Sequence, residues 1–78
     1  MIPEALELLN EICDDNTVPK NIRNKIRNTV LILKEEKENS LKVNESLQEL
    51  DEISDDPNIS SYTRAQIWNV VSILESIK

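Results

Sequence analysis

Leu6-Glu7-Leu8-Leu9-Asn10-Glu11-Ile12-Cys13-Asp14-Asp15 returns 41 positions later as Leu47-Gln48-Glu49-Leu50-Asp51-Glu52-Ile53-Ser54-Asp55-Asp56. In both copies aliphatic residues recur three and six positions apart, the spacing of one helix face. Both copies end on paired aspartates, whose side chains compete with a helix for backbone hydrogen bonds. The identity continues without a gap through Arg23/Arg64, Ile26/Ile67, Asn28/Asn69, Val30/Val71, Ile32/Ile73 and Leu33/Leu74. Helical periodicity alone would match the apolar positions, but not the aspartates, arginine and asparagine with them. The chain reads as a duplicated helix hairpin, the first repeat over about 3–38 and the second over about 41–78.

Each repeat has the same grammar. In helix 1, Ala5, Leu8, Leu9 and Ile12 form an apolar stripe. Pro3 suits the first turn, and Glu4 and Glu7 suit the positive end of the helix dipole. Asp14-Asp15-Asn16 ends the helix, and Thr17 is the predicted N-cap of helix 2 with Pro19 just inside it. Helix 2 carries Ile22, Ile26, Val30 and Leu33, with Leu31 and Ile32 widening the stripe. Lys34 to Glu38 is polar, and Ser40 is the predicted cap of helix 3, whose core positions are Val43, Leu47, Leu50 and Ile53. Asp55-Asp56-Pro57-Asn58 repeats the first turn, and helix 4 presents Thr63, Ile67, Val70, Val71, Leu74 and Ile77. Four amphipathic helices with short connections predict an all-α fold, an antiparallel four-helix bundle made of two repeated hairpins. A two-repeat α-solenoid is the competing arrangement, disfavoured because neither repeat has a distinct polar cap.

Composition supports helices and removes several function classes. The 78 residues contain no glycine and no histidine, with a single cysteine. A short β-rich chain needs glycine at tight turns, and phosphate-cradling loops need it for close backbone approach. Without histidine the usual proton shuttle and the commonest metal ligand are missing. Cys13 has no partner for an internal disulfide, a thiolate cage or a Cys–His nucleophile. A net charge of −6 repels nucleic acid on average. No apolar run approaches the ~20 residues that span a bilayer, and the opening Met1-Ile2-Pro3-Glu4 lacks the basic start of a signal peptide. The expected compartment is the cytoplasm, with no membrane partner.

Two stretches carry a resemblance. Leu50-Asp51-Glu52-Ile53-Ser54-Asp55-Asp56-Pro57-Asn58, with Thr63-Arg64 and Ile67-Trp68-Asn69-Val70-Val71-Ser72, resembles uncharacterised protein family 0147, a small archaeal family without an assigned activity. Val18-Pro19-Lys20-Asn21-Ile22-Arg23 in the first repeat does so too. The likeness covers most of the chain, is densest from Leu47 to Glu75 and is weakest over Asn39–Ser46. It implies a four-helix bundle in a cytoplasmic archaeal protein and supplies no catalytic residue.

Five features invite a reading. Asp14, Asp15, Asp55 and Asp56 would supply hard oxygen ligands to a divalent cation, as in a metal-dependent hydrolase, if the two turns met. The plainer reading is that they stop and cap helices. Lys20, Arg23, Lys25 and Arg27 form a basic cluster at the start of helix 2 that could touch an RNA backbone. Helix 2 lacks aromatics for base stacking, so a solvated face is preferred and nucleic acid is a disfavoured partner. Arg23 and Arg64, each just after a turn, are expected to clamp the paired aspartates. Cys13 stands where the second repeat has Ser54 and reads as a half-buried filler without a redox role.

The fifth feature is aromatic. Trp68 and Tyr62 are the sole aromatic residues, and their first-repeat counterparts are Arg27 and Asn21. At ~100° per residue, Trp68 lies roughly 115° from the centre of the helix 4 stripe, at its boundary. Half-exposed tryptophan is the type most enriched at binding hot spots. The sequence therefore predicts a non-enzymatic helical module, without cofactor or resident metal, that binds another protein or itself through Trp68 and Tyr62. The alternative is a nucleic-acid or ribosome accessory protein using the basic cluster.

Overall fold

The computed structural model describes residues 2–77; Met1 and Lys78, the last residue of the predicted second repeat, lie outside the described residues. Four helices run in order: α1 (Ile2–Cys13), α2 (Lys20–Lys34), α3 (Asn39–Ser54) and α4 (Ser61–Ile77). Each places one apolar stripe inside. Ala5, Leu9 and Ile12 are buried from α1, and Ile22, Ile26, Thr29, Val30 and Leu33 from α2. Val43, Ser46, Leu50, Ile53 and Ser54 follow from α3, and Thr63, Ile67, Val70, Val71 and Leu74 from α4. Apart from Val43 and Ser54, whose counterparts Ile2 and Cys13 are only partly buried, these are the same places in the two repeats, down to Ala5 and Ser46, and Thr29 and Val70.

Helix α1 packs on α2 and α4, α3 packs on α2 and α4, and the diagonal pairs make no close approach. A stacked pair of solenoid hairpins would instead set α1 against α3 and α2 against α4. The ring is closed around one interior, and extents of 33 × 19 × 18 Å fit a two-by-two cross-section of helices about 8–10 Å apart. The short connections make the helices run up, down, up and down. Both acidic turns therefore lie at one end of the bundle, and the α2–α3 connection lies at the other.

The connections explain how the chain manages without glycine. No described residue has a positive φ. Residues 14–19 and 55–60 take the same course: Asp15 N–H donates to the Ile12 carbonyl at 3.2 Å, and Val18 N–H to that of Asp15 at 3.1 Å. Asp56 and Ile59 repeat these bonds to Ile53 and Asp56 at 3.1 and 3.5 Å. Val18 and Ile59 turn inward and close that end of the core. At the other end, Lys37 pairs with Glu35 and with Glu45 of α3, each at 3.2 Å. Such exposed pairs contribute little to stability.

Three local expectations are corrected. Thr17 does not cap α2. Its N–H and hydroxyl both donate to the Asp15 carboxylate, at 2.9 and 2.6 Å, because the turn must continue far enough to bury Val18. Pro19 takes the cap position without a side-chain bond. Ser40 lies one residue inside α3, whose cap is Glu38, also without a side-chain bond. Leu31 does not join the core but is 60 % exposed, since Thr29 and Val30 already complete the inward arc of α2.

Candidate interaction surface

The outer flank between α3 and α4 is shaped by the residues that border their core stripes. Leu47 and Asp51, one helical turn apart on α3, face Trp68, Val71 and Glu75 on α4. Together with Gln48 they line an open groove of about 270 Å³. Val71 is almost fully covered and Leu47 half-buried, so the floor is apolar, whereas Trp68 stands 48 % exposed along one wall. Asp51 lies in the last turns of α3 and Glu75 in the last turn of α4. Because the helices are antiparallel, the two exposed carboxylates stand toward opposite ends of the groove. Tyr62, 69 % exposed, is not among the groove residues, so the structure does not bring the two aromatics together.

The acidic turns are built for turning. The Asp56 carboxylate accepts the Asn58 N–H at 2.8 Å, as that of Asp15 accepts the Thr17 N–H. The hydroxyl of Thr17, and then its N–H, hold the Asp15 carboxyl below the usual carboxylate range. Asp14 and Asp55 point to solvent. Although the topology puts both turns at one end, no group of three or more His, Cys, Asp or Glu residues among those described could hold a metal ion.

The arginines that follow the turns were expected to clamp these carboxylates, and the bonds they make run to carbonyls instead. Arg23 Nε donates to the Val18 carbonyl at 3.1 Å. Arg64 Nε donates to the Ser54 carbonyl at 3.1 Å, and its Nη2 to that of Asp56 at 3.3 Å. The end of α3 leaves carbonyls without intrahelical partners, of which Arg64 takes that of Ser54, and Arg23 takes one from the turn before α2, while the Asp15 and Asp56 carboxylates are already used by their own turns. Ion pairs among the described residues involve Lys37 instead.

The sequence profile of uncharacterised protein family 0147 (UPF0147) matches residues 1–77. The chain belongs to that family. A crystal structure of a protein of unknown function, MMP1188, is similar to it with a TM-score of 0.93 and 44 % sequence identity, over 99 % of this chain and 89 % of that one. No curated protein sequence matches the chain. The family carries no assigned activity, so its functional residues must be argued from the surface itself.

On that surface the basic cluster is divided. Lys20, Lys25 and Arg27 are exposed, and Arg27 donates to the Asn24 side chain at 3.1 Å. Arg23 is withdrawn by its carbonyl bond. Cys13 is half-buried, its Sγ is 3.9 Å from the Arg23 carbonyl, and burial pushes its thiol above the ordinary value. Sequence reasoning reached Trp68 but missed its companions. Val71 at i+3 and Glu75 at i+7 from Trp68 were available as one helix flank, yet Asp51 and Leu47 join it only through the α3–α4 pairing.

Proposed function

We propose that this protein is a non-enzymatic helical module that works by docking another polypeptide on the Trp68 groove. The observation that carries this reading is a tryptophan left 48 % exposed beside an apolar floor. An exposed apolar patch with a polar border is the ordinary form of a docking site, and tryptophan is its most frequent anchor. Chemistry finds less support: the chain has no histidine, its thiol is raised by burial, and Asp15 and Asp56 are engaged in their own turns. No helix among the described residues is long and apolar enough to cross a membrane.

The test is to purify the tagged protein from its native cell beside a Trp68→Ala variant of equal helical content. A companion retained by the parent and lost from the variant is expected. A companion held equally by both places the contact elsewhere, and a detectable hydrolytic or transfer activity unaffected by Trp68→Ala contradicts the non-enzymatic reading.

A further inference from the structure

The repeat places a second patch at the location on α1–α2 that corresponds to the groove on α3–α4. There the counterparts of Trp68 and Glu75 are Arg27 and Lys34, and between them Leu31 is 60 % exposed. Arg27, Leu31 and Lys34 stand at i, i+4 and i+7, one stripe on the outside of α2. The stripe reads cation, apolar, cation. The groove reads carboxylate, apolar, carboxylate, from Asp51 through Trp68 and Val71 to Glu75. The two patterns are complementary in sign. Seven residues of α2 span about 10.5 Å, and the long arms of Arg27 and Lys34 extend that reach toward carboxylates at opposite ends of the groove.

We infer that the occupant of the Trp68 groove is the Arg27–Leu31–Lys34 stripe of a second copy of this chain, a refinement that rests on the docking reading above. Leu31 enters between Leu47 and Val71. Arg27 lies against the Trp68 face, where a guanidinium is attracted by the ring, and reaches Asp51 or Glu75 according to the direction of approach, with Lys34 taking the other. Groove on groove would set Asp51 and Glu75 against their own copies, and stripe on stripe would do the same with Arg27 and Lys34. Like charges in contact disfavour both. The favoured contact is therefore head to tail. It leaves a free groove at one end and a free stripe at the other, so assembly continues beyond the dimer unless the rotation closes a ring. The overall charge of −6 opposes association at low salt. At ~0.15 M salt the screening length of about 8 Å confines that repulsion and leaves the contact pairs to decide.

Sedimentation velocity over a concentration series at ~0.15 M salt tests this with two charge-reversed variants, Asp51→Lys/Glu75→Lys and Arg27→Glu/Lys34→Glu. All four positions are exposed, and circular dichroism checks that the helices are kept. The parent protein is expected to gain mass with concentration while its Trp68 emission moves to shorter wavelength. Each variant alone is expected to remain monomeric, and an equimolar mixture to associate again, since each then offers what the other lacks. A parent that stays monomeric to roughly millimolar concentration overturns the inference, as does association indifferent to both variants. If the parent is monomeric while Trp68→Ala still loses a companion, the docking reading stands and the second copy is the wrong occupant.

Discussion

The first hairpin and the second differ little inside and sharply outside. Leu9/Leu50, Ile12/Ile53, Ile26/Ile67 and Leu33/Leu74 are buried in both, and Asp15/Asp56 and Arg23/Arg64 close both turns by the same kinds of bond. On the outer flank, Arg27 and Lys34 of the first become Trp68 and Glu75 of the second, and Asn10 becomes Asp51. Packing constrains the inward positions, because a close-packed interior feels a change of one methylene. The outward positions carry no such constraint and are where binding properties can diverge. The two hairpins thus serve as internal controls for each other: a shared feature belongs to the fold, and a difference is a candidate for function.

The strongest way to break that comparison is at the interior. Ile26→Ala and Ile67→Ala each remove a fully buried side chain at matched positions, and each should cost about 2–5 kcal/mol, as core isoleucine truncations do. In urea titrations the two costs should agree within ~1 kcal/mol. A much larger cost at one site would mean that the hairpins do not share the core equally.

The turn arginines sharpen the comparison at the next level. Arg64 serves two carbonyls and Arg23 one, and a charge-assisted bond contributes about 1.5–3 kcal/mol. Arg64→Ala should therefore destabilise more than Arg23→Ala, read as the difference in urea midpoints at unchanged slope. Equal effects would point to the carboxylates after all.

Ser46 departs from its Ala5 counterpart in an informative way. Both are fully buried, yet the Ser46 hydroxyl finds no hydrogen-bond partner among the described residues, and an unsatisfied buried group of this kind costs about 1–3 kcal/mol. Copying the first hairpin with Ser46→Ala should raise stability by about 1 kcal/mol, or roughly 4–8 °C in Tm for a chain of this size. A fall in Tm would show that the hydroxyl has a partner that the described contacts do not include.

The smallest effect expected is at Asp15, whose carboxyl is held low by the Thr17 hydroxyl and N–H. A depressed folded-state value stabilises fully above the ordinary carboxylate value of ~3.9 and loses that contribution as pH falls through the depressed one. Asp15→Asn should thus be less stable than the parent near neutrality, with the gap closing in acid below pH ~4. Stability curves that stay parallel down to that range would remove Asp15 from the account.

The interior was legible in the sequence because its signals are local and repeated. Ile26 and Ile67 could be placed by periodicity, and the 41-residue offset made each assignment count twice. The closed ring over the solenoid was legible only by elimination, since the α1–α4 contact joins the chain's two ends. Thr17 misled because an Asx turn and an N-cap use the same residue types. Leu31 misled because apolar character says nothing of which way an already filled arc turns a side chain. Of the groove, Trp68 showed itself as a boundary aromatic, whereas Asp51 acquires meaning only through the neighbour that the fold gives it.

The central claim is that twin hairpins share one interior, and the lone tryptophan tests it directly because it reports from the second hairpin alone. Urea unfolding of Ile26→Ala, altered only in the first hairpin, should be followed in dilute solution by Trp68 fluorescence and by helical circular dichroism together. Coincident curves, both displaced by the same amount from the parent, are the predicted result. A Trp68 transition left at the parent midpoint while the dichroism moves would show two hairpins unfolding separately and would contradict the account.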